Sequence, residues 1–196
     1  MNVTEAAAAR GKSRHLPGEV GLWIFVLGDM LIFSLFFCVF LFYRAHDVAT
    51  FSASQATLNM NLGALNTLLL LTSSWFVVLG VEATRRKMKS IAEKMFPLAF
   101  LCGVGFGVVK FFEYGEKISK GVTLTTNDFY MYYYIFTGIH FLHVLIGMGV
   151  LLFLWSKARR GAFEAGDVQT FESGGAYWHM VDLLWIVLFP LLYLVK

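Results

Sequence analysis

The chain has 196 residues, of which 58% are hydrophobic, 17% aromatic and only 15% charged, and its formal net charge is +3. Charged residues make up about a quarter of an ordinary soluble domain, so this composition excludes a typical soluble globular protein. No nucleic-acid recognition motif accompanies the small positive charge, and we expect no nucleic-acid partner. The composition therefore predicts an integral membrane protein.

Five apolar segments are each close to the ~17–25 residues that a helix needs to cross a bilayer. They are too long, and apolar on too many sides, for the alternating strands of a membrane β-barrel. The sequence predicts an all-α integral membrane bundle, with a flexible tail (1–16) before one membrane domain (17–196). The five predicted transmembrane helices span residues 21–43, 62–81, 96–114, 129–155 and 177–195.

Most of the 16 Lys and Arg residues fall on one side of this predicted bundle. Positively charged loops remain in the cytoplasm, so we expect the N-terminus to be cytoplasmic and the C-terminus periplasmic. The basic residues on the expected cytoplasmic side are Arg10, Lys12, Arg14, Arg85, Arg86, Lys87, Lys89, Lys94, Lys157, Arg159 and Arg160.

Proline and glycine positions divide the predicted helices. Pro97 is expected in the first turn of the third helix, where its missing N–H removes no hydrogen bond. Pro190 is expected to kink the fifth helix unless neighbours satisfy the freed carbonyl. A loop with four glycines is expected before the fifth helix, at Gly161, Gly166, Gly174 and Gly175.

Small and polar residues inside the segments indicate close helix contacts. Gly103 and Gly107 have the GxxxG spacing that lets another helix approach, and we expect them to serve packing. Asn66, Ser73 and Ser74 in the second helix could form hydrogen bonds to neighbouring helices.

Ionisable side chains interrupt the apolar segments, and they are the candidate functional residues. A charged residue at the bilayer centre costs roughly 2.5–3.5 kcal/mol, so such groups are expected to face a protein interior. The helical rise puts Asp29 at a depth similar to that of His140 and His143, which predicts an Asp29–His bond between the first and fourth helices. Two further pairs are three residues apart and share a helix face: Lys110 with Glu113, and His179 with Asp182.

Three interpretations of these groups remain open. In the first, these side chains form hydrogen bonds that hold the helices together. In the second, Asp29 belongs to a proton or ion pathway, as in a proton-coupled transporter. They can also be haem or metal ligands of a membrane electron carrier. His140 and His143 could supply nitrogens, but no Glu-x-x-His motif accompanies them, and the sequence predicts no metal site.

Five ordered sequence blocks resemble subunit III of the haem-copper oxidases. In chain order they read FVLGDMLIFSLFF, LNTLLLLTSS, FGVVKFFEY, FTGIHFLHVLIG and ESGGAYWHMVDLLWIVLF. The resemblance extends from Gly18 to the C-terminus, and the last two blocks are the most specific. In that family the first block has an intramembrane carboxylate, usually Glu, that reacts with carbodiimides. Asp29 takes its place here.

The resemblance implies a non-catalytic accessory or assembly subunit in the bacterial cytoplasmic (inner) membrane. Its partner would be the catalytic subunit of a terminal oxidase or nitric oxide reductase, and it would hold no cofactor of its own. It would support proton uptake and stability of the partner and bind phospholipid in a cleft between helices. Carried over, Asp29 is the proton-linked carboxylate, and the polar framework consists of Lys110, Glu113, His140, His143, Glu172, His179 and Asp182.

The chain also departs from the oxidase pattern. The first two of the seven helices usual in oxidase subunit III have no counterpart, although they form one wall of the family's lipid cleft. Phe141 stands where Gly is common, and Lys110 where Gln is usual. These departures resemble the five-helix homologue associated with nitric oxide reductase, the NorE type, and we expect the chain to be closer to that branch.

Overall fold

The computed structural model describes residues 19–161 and 163–195, which form α-helices joined by short turns. The helices in this part of the chain are α1 (Val20–His46), α2 (Val48–Gln55), α3 (Met60–Arg85), α4 (Lys89–Ser119), α5 (Asp128–Arg160) and α6 (Ala165–Phe189). A π-helical turn, Pro190–Leu194, follows α6 directly. The expected flexible tail (1–16) lies outside the described residues.

All of these helices except α2 are long and apolar enough to cross a membrane. This confirms the predicted all-α bundle of five transmembrane helices, and the chain is a multi-pass membrane protein. The starts of α1, α4 and α6 lie on the same side as the ends of α3 and α5. We call this side of the bundle the basic side, because its turns carry most of the Lys and Arg residues. The other end of the bundle is called the opposite side. The assignment of the basic side to the cytoplasm remains a prediction.

The structure corrects the predicted start of the fifth span, because α6 begins at Ala165, well before residue 177. Of the glycines expected in a loop, Gly166, Gly174 and Gly175 lie inside α6, whereas Gly161 ends α5 in the left-handed conformation. A capping box between Glu164 and Asp167 starts α6. Gly174 serves close packing, because a Cβ there would lie 2.7 Å from a Leu154 methyl carbon.

The start of the third span is also wrong in the sequence prediction. Helix α4 begins at Lys89, so Pro97 lies inside the helix and not in its first turn. Pro97 has no N–H to donate to the carbonyl four residues before it, and the polar residues that precede it extend α4 on the basic side. The other three spans extend a few residues beyond their predicted ends.

Helix α2 is a short helix in the polar segment that connects α1 to α3. The Asp47 carboxylate caps it by accepting a hydrogen bond from the Thr50 N–H at 3.1 Å. Hydrogen bonds from the Thr50 hydroxyl and from the Thr50 N–H hold the pKa of Asp47 below its usual range. The buried ring of Phe51 packs at 5.4 Å from Phe40 and 5.8 Å from Phe129, which anchors α2 to α1 and α5.

Helix α1 lies at the edge of the bundle that α3, α4, α5 and α6 form. Of the 18 residues in its apolar membrane-crossing stretch, only 11% are buried, whereas 61% are buried in the corresponding stretch of α6. Long aromatic side chains bridge the distance to α5: the rings of Phe36, Phe37 and Phe40 lie 5.9–6.0 Å from Phe136. Because α1 has so little buried surface, its position depends more on its polar contacts than the position of a central helix does.

The end of the chain is fixed on the opposite side. Pro190 lies where α6 gives way to the π-helical turn. The turn closes with a hydrogen bond from the Val195 N–H to the Pro190 carbonyl at 3.0 Å. The buried Arg44 guanidinium at the end of α1 donates to the Val195 carbonyl at 2.5 Å. Helices α1 and α6 are thus joined at this end.

A glycine on α5 provides a test of the close packing between α5 and α6. A Cβ at Gly147 would lie 2.7 Å from the Trp178 ring, whereas one at Gly149 would meet nothing within 4 Å. We expect Gly147→Ala to lower the free energy of unfolding by about 1–3 kcal/mol through overpacking. Thermal unfolding in detergent measures this. Gly149→Ala has the same gain in helix propensity and should not destabilise; equal melting temperatures for the two variants would contradict this packing.

Candidate functional site

Most of the ionisable side chains that the sequence singles out lie in three clusters inside the bundle. We call them the Asp29 pair, the Ser74 cluster and the Lys110 cluster. Their members are Asp29 and His143; Ser74, His179 and Asp182; and Lys110, Glu113 and Tyr193.

The Asp29 pair joins α1 to α5. Asp29 Oδ1 lies 3.3 Å from His143 Nε2, and the two side chains are 12% and 13% exposed. Of the two histidines that the sequence offers to Asp29, the structure selects His143. The other oxygen, Asp29 Oδ2, is buried without a hydrogen-bond partner among the described residues.

The partners of His143 determine how many protons this pair holds. His143 Nδ1 lies 2.8 Å from the Ile139 carbonyl oxygen, which can only accept a hydrogen bond. Nδ1 therefore carries a proton, and a neutral ring leaves Nε2 with a lone pair toward Asp29. A hydrogen bond between Nε2 and Asp29 requires one further proton, carried either by the imidazole or by the carboxyl. The geometry thus suits a proton shared between the two residues.

The Ser74 cluster lies between α3 and α6. Ser74 Oγ is 2.5 Å from His179 Nδ1, and the same hydroxyl is within hydrogen-bond reach of the buried Asp182 carboxylate. The sequence places His179 and Asp182 on one helix face as a candidate pair. In the described part of the chain no ion pair forms between them, and His179 bonds instead to Ser74 on the neighbouring helix. Asp182 Oδ1 has no hydrogen-bond partner there.

The Lys110 cluster is a closed triangle of hydrogen bonds in the opposite half of the bundle. Lys110 Nζ donates to Glu113 Oε2 at 2.8 Å and to the Tyr193 hydroxyl at 3.0 Å. Tyr193 in turn donates to Glu113 Oε1 at 2.5 Å. Lys110 and Glu113 are 1% and 2% exposed, so the two charges compensate each other away from water. The ammonium also lies 4.8 Å from the Trp185 ring centre, which adds a cation–π contact.

His140 behaves as an aromatic core residue. It is fully buried, 5.2 Å from the Trp185 ring and 5.7 Å from the Phe106 ring, and neither ring nitrogen has a hydrogen-bond partner in the described ranges. The side chains of His140 and His143 have different surroundings and do not converge. Among residues 19–161 and 163–195, no three His, Cys, Asp or Glu side chains come together with metal-ligand geometry.

Glu172 lies at the basic side, outside the three clusters. The Arg85 guanidinium contacts Glu172 Oε1 through two nitrogens, each at 2.9 Å. This ion pair joins the end of α3 to the first half of α6. Both residues belong to the lining of an apolar groove of about 470 Å³ that is bounded by α1, α3 and α6. We call this the α1–α3 groove; its lining includes Trp23, Met30, Val78, Arg85, Gly175 and His179.

The two glycines expected to serve packing face α5 and α6. A Cβ at Gly103 would lie 3.2 Å from both Met148 and Trp178, and one at Gly107 would lie 3.4 Å from Phe141. Two of the three polar residues of α3 bond across helices: Ser73 donates to the Ala99 carbonyl at 2.8 Å, and Ser74 bonds to His179. The third, Asn66, is buried without a partner among the described residues.

Tyr193 and Arg85 are not apparent as functional residues from the sequence. Tyr193 lies in the π-helical turn, so no regular helical spacing relates it to the rest of its segment. Arg85 contributes to the positive charge that predicts the topology, but a basic residue at a helix end gives no signal of a specific partner. A search for acids near that depth on other segments would have offered Glu172 as one candidate.

The buried Lys110 cluster predicts a large penalty for breaking it. We expect Lys110→Met to cost about 3–5 kcal/mol, because the Glu113 charge is then left buried and uncompensated. Lys110→Met with Glu113→Gln should lose less than the sum of the single changes. The matched control is Lys120→Met, which removes an exposed ion pair with Glu116 at 2.6 Å and should change little. Unfolding in detergent measures all four; additive losses would rule out the coupling.

Comparison with known proteins agrees with these features. The family model of cytochrome c oxidase subunit III matches residues 12–196. Cytochrome c oxidase subunit 3 of Synechocystis sp. is 30% identical over 204 residues, covering 97% of this chain and 86% of that protein. The subunit 3 of Alkalihalophilus pseudofirmus is 30% identical over 196 residues, covering 97% and 90%. The haem-copper oxidase subunit I+III of Aeropyrum pernix is 27% identical over 180 residues, covering 89% of this chain and 22% of that protein. The chain therefore belongs to the cytochrome c oxidase subunit III family.

Proposed function

We propose that this chain is a non-catalytic accessory subunit of a respiratory complex in the bacterial cytoplasmic membrane. Its partner is the catalytic subunit of a haem-copper terminal oxidase or of a nitric oxide reductase, which carries out the electron transfer. The names of the relatives support a partner of this kind. In Aeropyrum pernix, a protein named subunit I+III combines both parts in its name, and this chain matches 22% of it.

The observation that carries this proposal is the way in which the ionisable side chains are used. In the Lys110 cluster a lysine and a glutamate bond to each other, in the Asp29 pair a carboxylate lies 3.3 Å from an imidazole, and in the Ser74 cluster a serine hydroxyl bonds to His179. Such an arrangement positions helices and holds protons. It suits a subunit that supports its neighbour and has no cofactor of its own.

The Asp29 pair is the part of the chain that we connect with proton uptake by the partner. Its carboxylate and imidazole lie 3.3 Å apart, Asp29 belongs to the peripheral helix α1, and both side chains keep a small exposed fraction. A proton at this position is less enclosed than any held by the Lys110 cluster. Asp29 is therefore the proton-linked carboxylate in the proposed function, and His143 positions it.

The α1–α3 groove is the place that we propose for a bound phospholipid. Its volume of about 470 Å³ is within the usual ~300–1,000 Å³ range of ligand pockets. Most of its walls are apolar, and Arg85 at the end of α3 on the basic side belongs to its lining, where it can meet a lipid headgroup. The groove is formed by α1, α3 and α6 alone.

The identity of the partner follows from direct isolation. A tagged chain, extracted in mild detergent, should elute together with a haem-containing catalytic subunit. The type of that subunit decides between oxidase and nitric oxide reductase. The departures at Lys110 and Phe141 favour the reductase.

The supporting role is tested in cells that lack the chain. We expect faster loss of the partner's activity during turnover, full recovery with the wild-type chain, and poor recovery with Asp29→Asn, because an amide cannot take up and release a proton as a carboxyl group does. Glu116→Gln removes a carboxylate from an exposed pair and should restore activity fully. Unaltered activity and turnover stability of both the oxidase and the reductase after deletion would refute the proposed function.

A further inference from the structure

One face of α1 carries the contacts that surround Asp29. Phe25, Asp29 and Phe33 follow each other at intervals of four residues, so they lie one above the other along the helix. The Phe25 ring stacks on Tyr177 of α6, with the ring centres 6.2 Å apart. The Phe33 ring meets His143 of α5 edge-on at 5.8 Å. Asp29 therefore lies between a ring that contacts Tyr177 and a ring that contacts His143.

Tyr177 connects α6 to both of the other helices at this point. Its hydroxyl donates to the backbone carbonyl of His143 at 3.3 Å. Its ring lies against α5, since a Cβ at Gly147 would be 3.4 Å from a ring carbon. The buried phenol is also near enough to Asp29 for the two groups to interact electrostatically. Tyr177 therefore adjoins both members of the Asp29 pair.

The hydrogen bond that the Tyr177 hydroxyl makes is long. Its 3.3 Å exceeds the ~2.7–2.8 Å that is usual between two oxygens. Asp29 Oδ2, in contrast, is buried and has no donor among the described residues. A carboxylate is a better acceptor than a peptide carbonyl, because hydrogen bonds to charged groups are shorter and roughly twice as strong. A weakly held donor and an acceptor without a donor thus belong to the same site.

The proton content of the pair determines which acceptor is favoured. With a proton between Asp29 and His143 Nε2, the carboxyl group has a hydrogen-bond partner. Without that proton, the Nε2 lone pair faces a charged carboxylate, because Nδ1 keeps its own proton on the Ile139 carbonyl. A buried carboxylate without a donor is costly in free energy. A hydroxyl that moves to Asp29 Oδ2 in this state lowers that cost.

We propose that Tyr177 is a further positioning residue of the Asp29 pair, whose hydroxyl turns from the His143 carbonyl to Asp29 Oδ2 when the pair releases its proton. The bond to Oδ2 stabilises the ionised carboxylate and makes the release easier. Tyr177 keeps its own proton throughout. This role rests on the proposed function, because it concerns the same carboxylate, and it adds the group that tunes the proton affinity of that carboxylate.

Few titratable groups surround this carboxylate in the described part of the chain. Helix α1 has no other titratable side chain over residues 20–37. Helix α2 packs against Phe40, about three turns further along α1. At the depth of the pair, α5 presents His143 and α6 presents Tyr177, whereas His179 of α6 bonds to α3. A change in the titration of the carboxylate can therefore be assigned to these two partners.

Infrared spectra of the purified full chain in lipid nanodiscs test the role of Tyr177. The band of the protonated Asp29 carboxyl group, identified by its loss in Asp29→Asn, is followed over a pH titration. We expect Tyr177→Phe to move the midpoint upward by about one pH unit, because the ionised form loses a charge-assisted hydrogen bond. The matched control is Tyr134→Phe, which removes a hydroxyl that donates to the Val122 carbonyl at 2.9 Å and should not move the midpoint.

A second measurement requires no change at Tyr177. Isotope-labelled tyrosine identifies the phenol C–O stretch, and one such band should shift at the same midpoint as the carboxyl band and stay constant in Asp29→Asn. An unchanged midpoint in Tyr177→Phe, even with lower stability, would overturn the role of Tyr177 and leave that of Asp29 standing. So would a titrating carboxyl group without an accompanying tyrosine shift. A carboxyl band that does not respond to pH would overturn both roles.

Discussion

The free-energy cost of placing charge in hydrocarbon is the constraint on which the arrangement of this bundle depends. The Lys110 cluster shows how the cost is met: an ammonium, a carboxylate and a phenol satisfy each other in a closed triangle, surrounded by aromatic rings. An isolated charge at the same depth would be strongly unfavourable, whereas a neutral group of three is tolerated. The triangle also ties α4 to the turn that ends α6.

The same constraint has a different consequence at the periphery. Helix α1 has little buried surface and reaches α5 through phenylalanine rings and the Asp29 pair. Asp29 therefore has a partner, but it is less enclosed than Glu113, and its second oxygen lacks a hydrogen bond among the described residues. A carboxylate that is positioned but not fully satisfied suits proton exchange better than a sealed ion pair does. On this difference between α1 and α4 rests our proposal that Asp29 is linked to proton uptake by the proposed partner.

The sequence predicted features that depend on local spacing. Segment length and hydropathy gave the five spans, and separation by three residues gave the Lys110–Glu113 pair. Helical rise narrowed the partner of Asp29 to two histidines, although only the packing of α1 selects His143. The features it missed depend on neighbouring helices. Taken alone, Gly174 suggests a loop. It lies inside α6, and a glycine is needed there because a side chain would collide with Leu154. Ser74, common to His179 and Asp182, becomes apparent as their meeting point only when α3 and α6 are placed together.

The most direct test of this account is a double-mutant cycle between Asp29 and His143, with the unfolding free energy measured in lipid bilayers. Asp29→Asn, His143→Phe and the double variant supply the three required comparisons. If the two side chains share a proton across the α1–α5 contact, the effects will be non-additive, with a coupling of about 0.5–3 kcal/mol. Strictly additive effects would show that Asp29 and His143 act independently, and the claim that the buried ionisable groups are held by one another would be contradicted.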